Sequence, residues 1–512
     1  MTQTVVIGLD GANWSLIERW FEEGRLPNLN KLRSQGAHGI SQSRLPPVTC
    51  PNWKCYATGK NPGKLGVYWW EQIDTEEQTM HLPDSTDFDS PEIWDYLNEQ
   101  GQDAGVINLP MTYPPREIDQ FMVAGGPRSR EKDYTHPAEL EQELEERFDY
   151  RVHPENVLTS NEDSEREVEM VHDILRMRLR TAHTLIEERD VDLLHVTLFH
   201  LNVLQHYFWD GEPTKRAYEI IDEELEPFIE GDYNLVLMSD HGCTEIDTVF
   251  YINSWLEEKG YLQTKESLSS RLYDVGITQE QIAGLVRKVG LEKYIRPLVP
   301  RAIIERFPSD EGVVREEKLS MVDWEHTTAI GSGQGLVYTV ADSEAEREEI
   351  LQDLEEDLRA ERANGEALVC QIYRREDLYN GEHVDKAPDL VFDQRPGVHT
   401  SEAMGRDVVF TEPTNWQGEN VPEGMFLFHG KDVKAVGHDE IQITDIAPTI
   451  LHWLGHQIPT DMDGSPVLEV FREGSEPAER PIETRSPLHD TDAGRDLHED
   501  VEDRLSDIGY LE

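Results

Sequence analysis

The sequence predicts an α/β fold, and three observations carry that expectation: apolar runs ending in polar residues, a glycine-containing turn after the first run, and helical periodicity after it. TVVIGLDGANWSLIERWFEEGRLPNLNKLRSQG, from Thr4, reads as a buried strand, a turn and a helix. The same order recurs at VDLLHVTLF (191–199), and YNLVLMSDHG (233–242) is a strand ending in a charged turn. Ligand sites in open α/β sheets form at the carboxyl ends of strands. Asp10, Asp240 and His241 sit at such ends, where packing alone asks for no polar side chain.

The other elements follow in chain order. Residues 162–190 have long amphipathic spacing and read as a surface helix leading into the strand at 191. Residues 263–320 are charged and helical with little strand character, and read as a cap inserted over the strand ends. Residues 335–365 read as a strand followed by a strongly acidic helix. From about residue 471 the chain is rich in Pro, Asp, Glu and Ser, so 1–470 is expected to form one domain and 471–512 a flexible acidic extension.

Charge narrows the partners. With 47 basic and 103 acidic residues the formal net charge is −56, spread along the whole chain. Such a surface repels nucleic acid and anionic lipid. An acidic interaction tail and whole-surface acidification of the halophile type both produce such a balance, and the even spread favours the second. An apolar fraction of 37% with 11 Trp is compatible with a real core. Cys50, Cys55, Cys243 and Cys370 form no C-x-x-C pattern, which points to reduced thiols. The N-terminus has no basic region ahead of its apolar run, and no stretch approaches the roughly 18 apolar residues of a membrane helix. A cytoplasmic, soluble protein is expected.

Asp10, Asp240 and His241 are the sharpest chemical set, because carboxylates and an imidazole at strand ends can converge on one divalent cation. Each also has a plainer reading: Asp10 as cap of the helix after GANWS, SDHG as a turn. LPPVTCPNW (45–53) sets Thr49 beside Cys50. A sulfatase-type nucleophile made from cysteine needs C-x-P-x-R, whereas Cys50 is followed by PNWK, so Cys50 reads as a small buried hydrophobe. Thr49 can cap a helix that has Pro51 in its first turn, and a hydroxyl there, beside a metal, is also where an oxyanion is stabilised. Tyr68, Trp69 and Trp70 can stack a base or sugar, or belong to the core.

VVIGLDGANW, LPPVTCPNWKCYATGKNPGKLGVYWW, LNVLQHYFW, LVLMSDHG, FYINSWLEEKGYL, VDWEHTTAI and ITDIAPTILHWLGHQIPTDMDG resemble, in order and spacing, the type I phosphodiesterase/nucleotide pyrophosphatase branch of the alkaline phosphatase superfamily. The acidic composition and the RLSDIGYLE ending look like haloarchaeal members. The resemblance implies an alkaline phosphatase-like (sulfatase-like) fold with a central, mostly parallel sheet flanked by helices. It implies a metal-dependent hydrolase of phosphodiester or phosphoanhydride bonds, with Thr49 as nucleophile and one cation held by Asp10, Thr49, Asp240 and His241. The substrate class implied is a small phosphodiester, nucleotide or sugar phosphate. Zn²⁺ fits family habit, and Mn²⁺ or Mg²⁺ would suit a site with fewer nitrogen ligands.

The sequence departs from the family at the second metal. The expected Asp is Asn202, four residues before His206, and the expected distant His is Asn420. An amide is a poorer ligand than carboxylate or imidazole. His399, His429 or His438 could supply a displaced ligand, or the site could work with one metal, His206 acting as general acid or base. Phosphoryl transfer to an alcohol and a metal-bearing, ligand-binding pseudoenzyme are the alternative functions.

Overall fold

The computed structural model describes residues 2–488 except 89, 156, 157, 159, 162, 163 and 266–315. A nine-stranded sheet runs in the order Val436–Gln442, Ala37–Gln42, Glu423–His429, Asn234–Met238, Thr4–Gly8, Leu193–Thr197, Ala104–Pro110, Phe121–Gly125, Thr135–His136. The strands around Thr4–Gly8 are parallel. Glu423–His429 is antiparallel to both of its neighbours. The result is a mixed, mostly parallel α/β sheet flanked by helices.

The central strand TVVIG is buried along its length, as a β-branched run covered on both faces must be. Val5 and Ile7 enter one core layer with helices Trp14–Glu22, Glu165–Glu188 and Glu212–Glu230. Val6 enters the other, with helices Thr49–Thr58, Ile93–Glu99 and Ile446–Leu454. The strands expected at 191 and 233 appear as Leu193–Thr197 and Asn234–Met238. The amphipathic stretch before 191 is Glu165–Glu188, one face of which is buried.

Between Gly242 and Val421 the chain builds a smaller subdomain. Strands Ala329–Ser332, Leu336–Thr339, Leu390–Gln394 and Val369–Arg374 form an antiparallel sheet with a separate core. The acidic helix expected after residue 335 is Glu344–Ala360, capped by Ser343, whose hydroxyl accepts from the Glu346 N–H at 3.3 Å. Most of the cap expected at 263–320 lies outside the described residues; its end contributes the helix Glu316–Met321.

The start of the expected flexible extension is laid against the domain instead. Phe471 is buried, Arg480 donates to the His452 carbonyl, and Thr484–Arg485 pairs in parallel with Ile458–Pro459. Its polar composition concealed these anchors, because they are backbone pairs and single side chains. Residues 489–512 lie outside the described part.

Candidate active site

Asp10, Thr49, Asp240 and His241 meet at the carboxyl ends of the two adjacent strands Thr4–Gly8 and Asn234–Met238, and all four are buried. Asp10 does not cap the following helix. Asn13 does, its side chain accepting from the Leu16 N–H at 3.2 Å. Nor is Thr49 a cap: Val48 holds that position without a side-chain bond, and Thr49 is the first residue of the helix Thr49–Thr58. The first N–H groups of a helix have no intrahelical acceptor and favour negative charge, so the hydroxyl stands beside donors suited to an oxyanion.

Thr49 Oγ1 lies 3.3 Å from Asp10 Oδ1 and 3.2 Å from His241 Nε2. The His241 Nδ1 is 2.9 Å from the Gly242 carbonyl, so the ring proton is assigned to Nδ1 and a lone pair to Nε2. That nitrogen faces Asp240 Oδ2 at 3.1 Å and Asp10 Oδ1 at 3.7 Å. Asp240 Oδ2 is buried without a hydrogen-bond donor. Lone pairs turned toward one another in a dry pocket repel unless a positive charge sits among them.

The titration directions agree. Burial, and then the charge of Asp240, push Asp10 well above the usual carboxylate range against the bonds from Trp53 and Thr49. Burial also raises Asp240, against the pull of His241 and the Gly11 N–H. Among the described residues these three are the one group whose ligand atoms all lie within 4.8 Å of one another. The donor set, two carboxylates and an imidazole with a hydroxyl at hand, fits a divalent cation of the zinc or manganese kind.

The supports are residues that sequence reasoning missed. Trp53 Nε1 donates to Asp10 Oδ2 at 2.9 Å and turns the other oxygen toward Thr49. Asn52 accepts from the Arg44 N–H and donates to the carbonyls of Arg44, Pro46 and Val48, holding the loop ahead of the nucleophile helix. Both lie within LPPVTCPNW, but their partners are fixed only by the fold. Cys50 is buried and its thiol is pushed up by that burial, in line with a hydrophobe's role. Tyr68 is core, and its hydroxyl donates to the His383 carbonyl at 2.7 Å. Trp69 and Trp70 are half-buried, Trp70 packing with Cys50, Val67 and Met111.

Asn202, His206 and Asn420 also come together. Helix His200–Phe208 carries the first two, and Asn420 stands opposite Cys243 on the strand Gly418–Val421. Gly11, next to Asp10, has φ +72 and passes so close that a Cβ there would lie 2.4 Å from Asn202 Oδ1. The three side chains are turned on one another. Asn202 Nδ2 donates to His206 Nε2 at 3.0 Å and to Asn420 Oδ1 at 3.3 Å, and His206 Nδ1 faces the Gly418 carbonyl at 2.7 Å. An N–H donor faces His206 where a cation would need an acceptor, while Asn202 Oδ1 is buried with no partner; two amides in place of a carboxylate and an imidazole make this a poorer cation site than the first.

The displaced-ligand alternatives find no support in the geometry. His399 Nδ1 is taken up by the buried Glu419 carboxylate, which also accepts from Gln334 Nε2. His429 pairs with Leu235 at the far end of the sheet, and His438 lies on the edge strand Val436–Gln442. The His206 ring stacks on Trp416 at 4.0 Å between centroids. Burial lowers its pKa to about 4, against the nearby Glu419 charge.

The profile of the type I phosphodiesterase/nucleotide pyrophosphatase family matches residues 4–420. No curated protein matches the sequence. Murine ectonucleotide pyrophosphatase/phosphodiesterase 5 superposes with a TM-score of 0.52 at 12% identity, over 92% of this chain and 100% of that one. An inactive variant of that murine protein, solved with AMP, gives the same values. Phosphonoacetate hydrolase from Sinorhizobium meliloti, in complex with phosphonoformate, reaches 0.52 at 14% identity, over 87% of this chain and 94% of that one. At such identities the superpositions establish the fold. Among the described residues no helix is long and apolar enough to cross a membrane. The extent of the profile match shows that this chain belongs to the type I phosphodiesterase/nucleotide pyrophosphatase family.

Proposed function

We propose that the chain is a phosphodiesterase that attacks its substrate with Thr49 and works with one metal. The observation that carries this reading is the convergence of Asp10, Thr49, Asp240 and His241 in one buried cluster. A divalent cation bound by that set supplies Lewis acidity to a phosphoryl oxygen and lowers the pKa of the neighbouring hydroxyl. Thr49 Oγ1 attacks phosphorus in line, a P–O bond to threonine forms and the bond to the leaving alkoxide breaks. The hydrogen bond to Asp10 Oδ1, whose partner oxygen Trp53 keeps in place, orients the hydroxyl, and its proton passes to water. The helix N-terminus takes up charge on the phosphoryl group.

Water then cleaves the phosphothreonine. With a pKa of about 4, His206 is neutral near pH 7 and acts as a proton acceptor, not as an imidazolium acid. Its Nε2 must first leave the amide of Asn202. That weak base and the amides beside it favour a second reading, in which an alcohol captures the phosphothreonine and the protein transfers phosphoryl groups. The spread of acidic residues along the chain supports a high-salt setting.

The test is turnover of an aryl phosphodiester by metal-stripped protein with Zn²⁺, Mn²⁺ and Mg²⁺ restored singly, beside Thr49→Ala. Metal-dependent release that falls at least ~10³-fold in the variant is expected. Equal release by the variant would remove Thr49 from the mechanism. Product formed only when an alcohol is supplied would select transfer over hydrolysis.

A further inference from the structure

One short segment, Trp416 to Asn420, holds His206. The Trp416 ring stacks on the imidazole at 4.0 Å between centroids, and the Gln417 N–H donates to the His206 carbonyl at 2.6 Å. The Gly418 carbonyl stands 2.7 Å from Nδ1, to which the ring proton is assigned. Asn420 Oδ1 accepts from the Asn202 amide that caps Nε2. Every residue of the segment but Glu419 touches His206 or that amide.

Glu419 faces the other way. Successive side chains of a strand point to opposite faces, so Asn420 turns toward Asn202 and Glu419 toward the subdomain. There the carboxylate, 3% exposed, accepts from Gln334 Nε2 and His399 Nδ1, and its Oε1 also accepts from the Asn420 N–H at 2.8 Å. Burying a carboxylate is costly unless donors meet it, and here both oxygens are met. Gln334 holds φ +54, in the left-handed region that favours glycine. Strain of that kind gathers where the placement of a side chain matters.

The segment needs such an anchor. Among the described strands Gly418–Val421 pairs only with Gly242–Glu245, and a two-stranded ribbon is marginal by itself. Glu419 also lies near enough to His206 to be the foremost charge working against the burial that lowers it.

We propose that Glu419 is a positioning residue for His206, fastening the segment 416–420 to the subdomain so that the imidazole is in place when water cleaves the phosphothreonine. The assignment rests on the Thr49 reading, and the experiment keeps the two apart. The metal-loaded enzyme is given bis(para-nitrophenyl) phosphate. With enzyme in excess, the first nitrophenolate reports attack by Thr49; steady-state release also requires the water step.

Glu419→Ala should leave the single-turnover rate within about twofold and slow steady-state release at least ~10-fold. Glu419→Gln, whose amide oxygen still accepts from Gln334 and Asn420, should stay within about threefold of the wild type. In His206→Ala, adding Glu419→Ala should cost less than about a further twofold, because the two act as a unit. A residue that only stabilises the fold would lower both rates alike and add its loss to that of His206→Ala, and either result would overturn the proposal. So would equal losses in Glu419→Gln and Glu419→Ala. Should Glu419→Ala not fold, Gln334→Gly, which suits the backbone there and removes one donor, should show the same split at about threefold, and no split would overturn the role. Failure of the wild type to release nitrophenolate would count against the Thr49 reading and leave hydrogen exchange to decide. The Gln417 amide should exchange at least ~10-fold faster in Glu419→Ala and at the wild-type rate in Glu419→Gln. An unchanged rate in Glu419→Ala would overturn the hold on His206.

Discussion

Asn202 carries an amide where the resemblance expects a carboxylate, and the amide nitrogen is the atom that bonds both His206 and Asn420. Reversing that chemistry should recreate a second cation site, since a carboxylate and a second imidazole would stand beside His206. Asn202→Asp combined with Asn420→His is expected to raise metal content from one to two per chain, counted by elemental mass spectrometry on folded protein. A count unchanged at one would mean that backbone placement, and not donor type, excludes the second ion. Asp10, Asp240 and His241 stand out in the sequence as candidate ligands because each follows an apolar run, whereas Thr49 is singled out as a nucleophile only by the family resemblance. Trp53, Asn52 and Glu419 do not stand out. Trp53 reads as one more core aromatic until the fold sets its indole N–H on Asp10, and Glu419 as one more acid among 103 until burial isolates it.

The helix Thr49–Thr58 is the element on which the reaction depends, and its underside is held by charge. Lys54 Nζ lies 2.7 Å from Glu92, both nearly sealed from water, and Arg116 reaches the other Glu92 oxygen at 2.8 Å. Burial pushes Glu92 upward, but Lys54 and Arg116 outweigh it and hold the carboxyl below its usual range. Removing one partner of a buried pair costs about 3–5 kcal/mol. Arg116 remains in Lys54→Ala, so a loss near ~3 kcal/mol is expected in denaturant unfolding, with slower turnover as the helix start shifts. A loss under ~1 kcal/mol would show that the ammonium does not hold the helix. This pairing was hidden in the sequence, where Lys54 and Glu92 stand in separate segments. Of the small sheet of the subdomain only the strand after residue 335 was read; the others are short, and Leu390–Gln394 pairs with strands distant in sequence.

Across the whole molecule, buried histidines set the acid limit. His195 is pushed by burial to about 3, and His200 lies well below its ordinary value through burial and the neighbouring Arg178. A folded value below the unfolded ~6.5 means that stability is complete above ~6.5 and is lost as pH falls toward the folded value. For His195 the loss between pH 7 and 5 is about 2 kcal/mol. His195→Gln should flatten that slope in unfolding measured at both values, and an unchanged slope would assign acid sensitivity elsewhere. The net charge of −56 makes a second demand. Self-repulsion weakens as the Debye length falls to about 3 Å at 1 M salt, so the melting temperature should rise from dilute to molar KCl; a fall would show that surface ion pairs outweigh repulsion.

The placement of Glu423–His429 between Ala37–Gln42 and Asn234–Met238 also bears on the order in which the protein is made. The segments bearing Asp10 and Thr49 leave the ribosome early, yet the slot beside them is filled only by a strand synthesised near the other end. Until then Asn234–Met238 and Ala37–Gln42 present open edges, and pairing across so long a stretch of chain is slow. A nascent chain stopped before residue 423 should therefore resist neither protease nor chaperone capture, whereas one released past 442 should become resistant to both.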